Sequence, residues 1–499
     1  MVCRSARPCR DRVDPVTAHV DDGVMSLLFT VQVPNRPVEH LETVVGGPRY
    51  ARLRATAAEF RRRLGGRRIW NVNSTAVGGG VAEMLQALVG YVRDLDIPIE
   101  WTVIGGDAEF FAITKRLHNR IHGSTGDAGP LGAAEAGHYT EVLAANAVEL
   151  LRQVSSGDLV LLHDPQTAGL AAPLAAAGAT VVWRCHIGVD WDDEITHGAW
   201  QFLRPYLAAA RGYVFSRSRY VPSWVPERST SIIPPSIDPF SPKNQELDRQ
   251  TVRGILTTIG VLDGHAPDRA NRFVRGDGTV GEVVRGASVV AESLPGPADP
   301  VVVQVSRWDR LKDMSGVLRG FADHVAPAGD GYLMLVGPAV ADVSDDPEGA
   351  AVYAECVAQW RELPPGVRAR TLLVNLPLND IDENAAMVNA VQRNAAVIAQ
   401  KSMAEGFGLT VAEGMWKGRP VVASAVGGIQ DQIVDGTGIL LHDSRDLGGF
   451  GAAVRRLLDD PDAANRMGRA AHEHVRQSFV GDLHLLRYAE LFGELLAER

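Results

Sequence analysis

Cysteine is scarce: 4 among 499 residues, none in a Cys-x-x-Cys pair and none set with histidine at zinc-ligand spacing. A disulfide framework and a zinc module are both excluded on that count, and the expected compartment is the reducing cytoplasm. Long apolar runs are also missing. No stretch approaches the roughly 20 residues that a membrane helix needs, so integral membrane association is not expected. There is no surplus of basic charge. The formal net charge is -10, which argues against a nucleic-acid partner. No Gly-Lys-Ser/Thr closes a Walker loop, no G-x-G-x-x-G follows a strand to open a helix, and no D-x-D metal signature stands out at the strand ends.

What is present begins with length. One hydrophobic core rarely grows past roughly 250–300 residues, so this chain holds two domains. Glycine is abundant, at 51 residues, as many tight strand-to-helix turns require. The first residues carry Arg4, Arg7, Arg10 and Arg12, like a signal n-region. However, Asp21 and Asp22 precede the only nearby apolar run, 25–33, and no small-residue cleavage site follows. Residues 1–37 are read as a disordered or poorly ordered leader, with Met25 an alternative start.

From residue 49 the pattern alternates. Helices are expected over 49–65, 81–95, 140–154 and 171–177, and strands over 68–73, 99–104, 159–163 and 180–186. A proline-rich segment, 232–244, reads as a linker, and 263–299 as a long Gly/Asp/Pro-rich loop. Alternation then resumes, with strands at 301–305, 332–336, 371–375, 397–399 and 420–424. Helices are expected at 315–326, 350–363, 383–394 and 409–416. The expected class is α/β, with two Rossmann-like doubly wound parallel sheets facing a cleft. The boundaries are 38–235, joined by a C-terminal helix at 480–499, and 236–479.

Five motifs fall at strand ends. Asn71-Val-Asn-Ser-Thr-Ala-Val-Gly-Gly-Gly80 offers backbone N–H groups at a helix start, as a tight turn or as an anion contact through Gly79 and Gly80. In His163-Asp164-Pro165-Gln166 the carboxylate either caps a helix or receives sugar hydroxyls. Trp183-Arg184-Cys185-His186-Ile187 places a histidine on the same rim, structural or functional. Ser306–Asp313 carries Arg307 and Lys312, a solvated basic loop or a diphosphate clamp. The most informative is Glu405-Gly-Phe-Gly-Leu-Thr-Val-Ala-Glu413. A macrodipole contact explains one glutamate near a helix start, but not two that flank Gly-Phe-Gly.

With these residues in view, the chain resembles the retaining GT-B glycosyltransferases of family four, whose E-x7-E signature Glu405 and Glu413 match and whose diphosphate pair Arg307 and Lys312 match. The stretches VNSTAVGGGVAEML, WTVIGGDAEFFAITKRLHN, HDPQTAGL, WRCHI, IIPPSIDPFSPKN, VSRWDRLKD and QKSMAEGFGLTVAEGMWKGRPVV are similar to the trehalose glycosyltransferring synthase subgroup. The resemblance runs from about residue 38 to the C-terminus. It implies a retaining, reversible transfer of glucose from ADP- or UDP-glucose to glucose, giving trehalose. It further implies that Gly79 and Gly80 approach the donor phosphate and that Arg307 and Lys312 neutralise the leaving diphosphate. Glu413 binds the ribose, and Glu405 with Gly406, Phe407, Gly408 and Leu409 holds the donor. His186, Glu405 and Asp164 form the catalytic set, and Asp164, Gln166 and Arg184 receive the acceptor. No metal or cofactor is required, Mg being at most a stimulant, and a homodimer is the assembly expected. The rivals are a retaining trehalose phosphorylase using inorganic phosphate, a sugar-nucleotide-binding regulator without turnover, and a dinucleotide-dependent oxidoreductase. The last lacks its glycine fingerprint at a helix start.

Overall fold

Runs of Val, Ile and Leu between turn residues become strands buried along their whole length, as parallel sheets covered on both faces demand. Leu159–His163 and Thr371–Leu376 are two of them. The computed structural model describes residues 20–21, 24–25, 27–77, 79–265, 269–329, 331–340 and 347–497. Its two large sheets have seven strands each. The first runs in the order Leu28–Thr30, Ile99–Ile104, Ile69–Asn73, Leu159–His163, Thr180–Cys185, Gly212–Phe215, Thr230–Ile232, and only Leu28–Thr30 is antiparallel. The second runs Ser288–Val290, Thr371–Leu376, Tyr332–Pro338, Val301–Val305, Val397–Gln400, Val421–Ser424, Ile439–Leu441, with Ser288–Val290 its antiparallel edge.

This topology decides where a ligand can sit. From Ile69–Asn73 the chain steps outward to Ile99–Ile104, then returns to Leu159–His163 on the other side. In the second sheet it leaves Val301–Val305 one way and returns at Val397–Gln400 on the other. Loops diverge at these two reversals and leave a crevice beyond the carboxyl ends of the strands. Four of the five sequence motifs start at those ends, and Trp183–Ile187 ends the neighbouring strand.

The chain crosses between the halves twice, and the crossings lie side by side. Ile237 N–H donates to the Phe479 carbonyl at 2.8 Å. The final helix, Gly481–Ala497, then lies on the helix Gly47–Leu64, where Phe60 meets Phe492 and Arg49 pairs with buried Asp482.

The expected leader needs correction at its end. Its residues 1–19, 22, 23 and 26 lie outside the described residues, but Leu28–Thr30 pairs with Ile99–Ile104, and Val31 and Val33 are buried. An apolar alternation beside an open sheet edge is an edge strand, not a tail. The expected loop 263–299 holds a hairpin, Arg272–Val274 with Val280–Glu282, and the strand Ser288–Val290. A G-x-G-x-x-G string occurs there, Gly276 to Gly281, but it turns a hairpin and opens no helix. Three helices of ten or more residues had no counterpart in the sequence: Ala108–Ile121, Glu194–Leu207 and Arg249–Thr258. No helix among the described residues is long and apolar enough to cross a membrane.

Candidate active site in the interdomain cleft

The amino-terminal rim is a chain of buried polar groups. Asn71 Oδ1 lies 3.1 Å from His163 Nε2, His163 Nδ1 lies 2.9 Å from His186 Nε2, and Arg184 Nε donates to His186 Nε2 at 3.0 Å. Burial, with Arg184 beside it, pushes His163 down to about 3. Burial, Arg184 and His163 push His186 well below its ordinary value. Both rings are therefore neutral at pH 7. Asp164 follows on the same rim with φ of 62°, a left-handed conformation costly for a residue with a side chain. Its Oδ1 accepts the His186 backbone N–H at 2.7 Å, and burial raises its carboxyl to about 7. Gln166 is half-buried two residues further on, in the short helix Asp164–Thr167.

Three sequence assignments are corrected here: the acceptor role of Arg184, the catalytic role of the His186 ring, and the donor contact of the Phe407 side chain. Arg184 is fully buried and does not face an acceptor: it donates to the Tyr488 hydroxyl at 2.6 Å and to the Ile233 carbonyl at 3.0 Å. Residues i and i+2 of a strand share a face, so Arg184 and the His186 ring both turn toward the helix Gly481–Ala497. What His186 presents to the other domain is its carbonyl, 3.5 Å from where a Cβ on Gly406 would stand. Phe407 is also buried, its ring against Phe479, so only its backbone belongs to the donor turn.

On the opposite rim, Lys312 Nζ pairs with Glu405 Oε1 at 2.8 Å, and the same oxygen accepts from Ser402 Oγ at 3.0 Å and Gln400 Nε2 at 3.2 Å. Lys312 is aimed by its successor. Asp313 has φ of 49°, caps the helix Met314–His324, and pairs with the fully buried Lys401. Arg307 is different: its side chain is 59% exposed and held 2.8 Å from Asp309, near the rim of the cleft. Gly408 has φ of 80° and caps the helix Leu409–Trp416, whose first side chain, Leu409, faces the other domain. A Cβ on Gly80 would stand 2.9 Å from Leu409 Cδ1, so the two helix starts approach closely across the cleft. Gly79 opens its helix with φ of 78°, and Gly78 lies outside the described residues. Glu413 is 4% exposed, 3.6 Å from Lys243 Nζ, and Lys243 also reaches Glu83 at 2.7 Å. Glu413, Gly80 and Leu409 border a cavity of about 680 Å³ between the domains.

Asp380-Ile-Asp382, a D-x-D string that the sequence reading passed over, lines this cavity too. Asp380 takes Arg275 at 2.7 Å, and Asp382 takes the Gly276 N–H at 2.9 Å. Among the described residues, no group of three or more His, Cys, Asp or Glu side chains is disposed to hold a metal ion.

The structure adds a latch that the motifs did not reveal. The Tyr220 hydroxyl sits between the carbonyls of Glu405 and Gly406. Arg217 bridges Asp190, the Gly427 carbonyl and Asp431, and Asp190 accepts from Gly427 N–H at 3.0 Å and Gln430 at 2.8 Å. Gly427 has φ of 51°, and a Cβ there would stand 1.8 Å from the Glu405 carbonyl oxygen. Gly427→Ala is therefore expected to displace the Glu405–Gly408 turn and cut kcat/KM by about 10²-fold, the cost of misplacing a reacting group by about 1 Å. Steady-state kinetics on the purified variant checks this, and a loss below threefold would mean the turn tolerates the shift.

Both halves of this cleft match known proteins. The family described as trehalose synthase, N-terminal domain, matches residues 71–222, and that described as glycosyl transferases group 1 matches residues 382–474. The chain is 34% identical to trehalose synthase from Rubrobacter xylanophilus over 441 residues, covering 88% of this chain and 93% of that protein. The chain belongs to the trehalose synthase family of glycosyltransferases. It is more distantly similar to trehalose phosphorylase from Pleurotus sajor-caju, at 26% identity over 73% of this chain and 49% of that protein. Its fold is GT-B. The α,α-trehalose 6-phosphate synthase of Burkholderia multivorans superposes with a TM-score of 0.61 at 15% identity, over 87% of this chain and 100% of that one.

Proposed function

We propose that this glycosyltransferase moves glucose from ADP- or UDP-glucose to glucose with retention of configuration, forming α,α-trehalose reversibly. The observation that carries the reading is the Lys312–Glu405 pair, at the reversal of the second sheet and against the Gly406–Gly408 turn. The leaving group is a diphosphate, so negative charge grows on it in the transition state. Lys312, Arg307 and the amino-terminal ends of the helices that start at Gly79 and Leu409 meet that charge in a cleft that excludes water. Glu405 orients Lys312 and holds donor hydroxyls. Glu413 takes the ribose, and Asp164 with Gln166 receives the acceptor. Arg184 and His163 hold the His186 ring, and none of the three side chains touches substrate. No metal enters this scheme, and a chelator is expected to leave the rate unchanged.

The phosphorylase reading is favoured by the second relative, but a cavity of about 680 Å³ alongside Glu413 has room for a nucleoside that a phosphate-using enzyme does not need. The test incubates purified protein and trehalose with UDP, ADP, GDP or phosphate in separate tubes. A nucleoside diphosphate glucose by mass supports the synthase and names the base. Glucose 1-phosphate with phosphate alone replaces it with the phosphorylase. No product in any tube removes trehalose as the substrate.

A further inference from the structure

His118 and His122 end the helix Ala108–Ile121, which follows the strand Ile99–Ile104 of the first sheet. Their rings are 4.9 Å apart. His122 lies against the donor turn, its Cε1 being 3.4 Å from where a Cβ on Gly406 would stand. The charged groups that act on the pair come from three elements. Lys115 on the same helix and Arg307 across the cleft act on His118. Lys312, Glu405 and Asp309 across the cleft act on His122, and the Gly188 backbone hydrogen-bonds its ring. The two imidazoles thus face two cations, Arg307 and Lys312, and the carboxylates Asp309 and Glu405 that pair with them. Burial and the His122 ring hold His118 well below its ordinary value, and burial and Lys312 hold His122 down to about 4. The arrangement suits an anion. A helix carboxyl end favours a protonated histidine, and a phosphate between the two rims turns the local field from positive to negative.

We infer that His118 and His122 are the amino-terminal domain's half of the anion subsite, closing on the leaving diphosphate from the face opposite Arg307 and Lys312, with His122 taking up a proton from solvent as the diphosphate binds. The inference rests on the diphosphate reading of Lys312. It gives domain closure a direct chemical cause, because the anion is completed only when both rims reach it. It also places a second proton-bearing donor at the leaving group.

Calorimetric titrations with UDP, ADP and GDP at pH 6.5, each in two buffers of different ionisation enthalpy, measure both affinity and proton uptake. Wild-type protein is expected to take up about half a proton more per diphosphate than His122→Asn, the ligand's own titration being common to both. His122→Asn is expected to weaken binding about tenfold, the loss of one charge-assisted hydrogen bond, and His118→Asn less. His122→Gln serves if the asparagine variant misfolds. Wild-type affinity and proton count in His122→Asn would overturn the inference and leave the diphosphate reading standing. Wild-type affinity in Lys312→Ala as well, or no binding of any of the three nucleotides to wild type, would overturn both.

Discussion

Replacing Lys312 with alanine is expected to lower kcat by roughly 10²–10³-fold, the usual cost of deleting one preorganised charge from a transition state. The ammonium is 17% exposed and fixed from two directions, by Glu405 at 2.8 Å and by the left-handed Asp313, which is paired to Lys401. No neighbour can replace it. Arg307 is turned out toward Asp309, with 59% of its side chain in solvent. The fold should survive, because Glu405 keeps its hydrogen bonds from Ser402 and Gln400. Lys312→Arg should recover little, since a planar fork does not fit where a point charge meets a single carboxylate oxygen. The measurement is kcat and KM for the donor together with a melting curve. A rate within tenfold of wild type, with an unaltered melt, would take Lys312 out of the leaving-group role.

That argument uses only what strand ends make visible, and so did most of the sequence reading. Short apolar runs such as Leu159–His163 are legible because they are only five residues long, rich in Val and Leu, and bounded by turn residues. Once the strands alternate with helices, a ligand crevice is expected beyond their carboxyl ends. Lys312, Glu405 and Gly80 were legible for that reason. The misplaced residues have a common physical cause. Arg184 was given to the acceptor because it ends a strand, but which face it takes depends on Tyr488, some 300 residues later. Phe407 was given to the donor because it stands between two glycines, but its ring belongs to a core closed by Phe479. Asp190, Arg217 and Tyr220 act across the cleft on backbone atoms, a kind of contact that leaves no motif. The helix Ala108–Ile121 is another matter. Its buried positions Phe110, Ile113, Leu117 and Ile121 keep helical spacing, so it was readable and was passed over, and His118 and His122 with it.

Folding stability is expected to fall steeply as the pH drops from 6.5 toward 4.5, and histidine is the cause. His163, His186 and His484 are buried, and burial, with Arg184 close by, holds each below its ordinary value, His163 at about 3. A group depressed in the folded state stabilises it above the unfolded value and loses that contribution as the pH falls. Below pH 6.5 the unfolded chain binds three protons that the native site refuses, and each costs about 1.4 kcal/mol per pH unit. Asp164 works in the opposite sense. Its carboxyl is raised to about 7, so between pH 7 and the ordinary carboxylate range the native state alone is protonated and gains stability as the pH falls. Three groups against one leave a net loss of about 3 kcal/mol per pH unit around pH 5.5. His118 and His122 shift the same way but are half-exposed and are left out of that sum. Lys417, lowered to about 7, acts above this window. Two pH units then remove about 6 kcal/mol, comparable to the lower end of a typical reserve of about 5–15 kcal/mol, so the urea midpoint should drop steeply toward pH 4.5. Urea midpoints measured from pH 7.5 to 4.5 test this. His484→Gln should flatten the net slope by about one half, because its ring meets the Pro234 carbonyl and the Tyr488 face and an amide can replace it there. A urea midpoint unchanged between pH 6.5 and 5 would mean that the three rings are already protonated in the native state. The neutral polar chain that holds His186 and Asp164 in place would then be wrong.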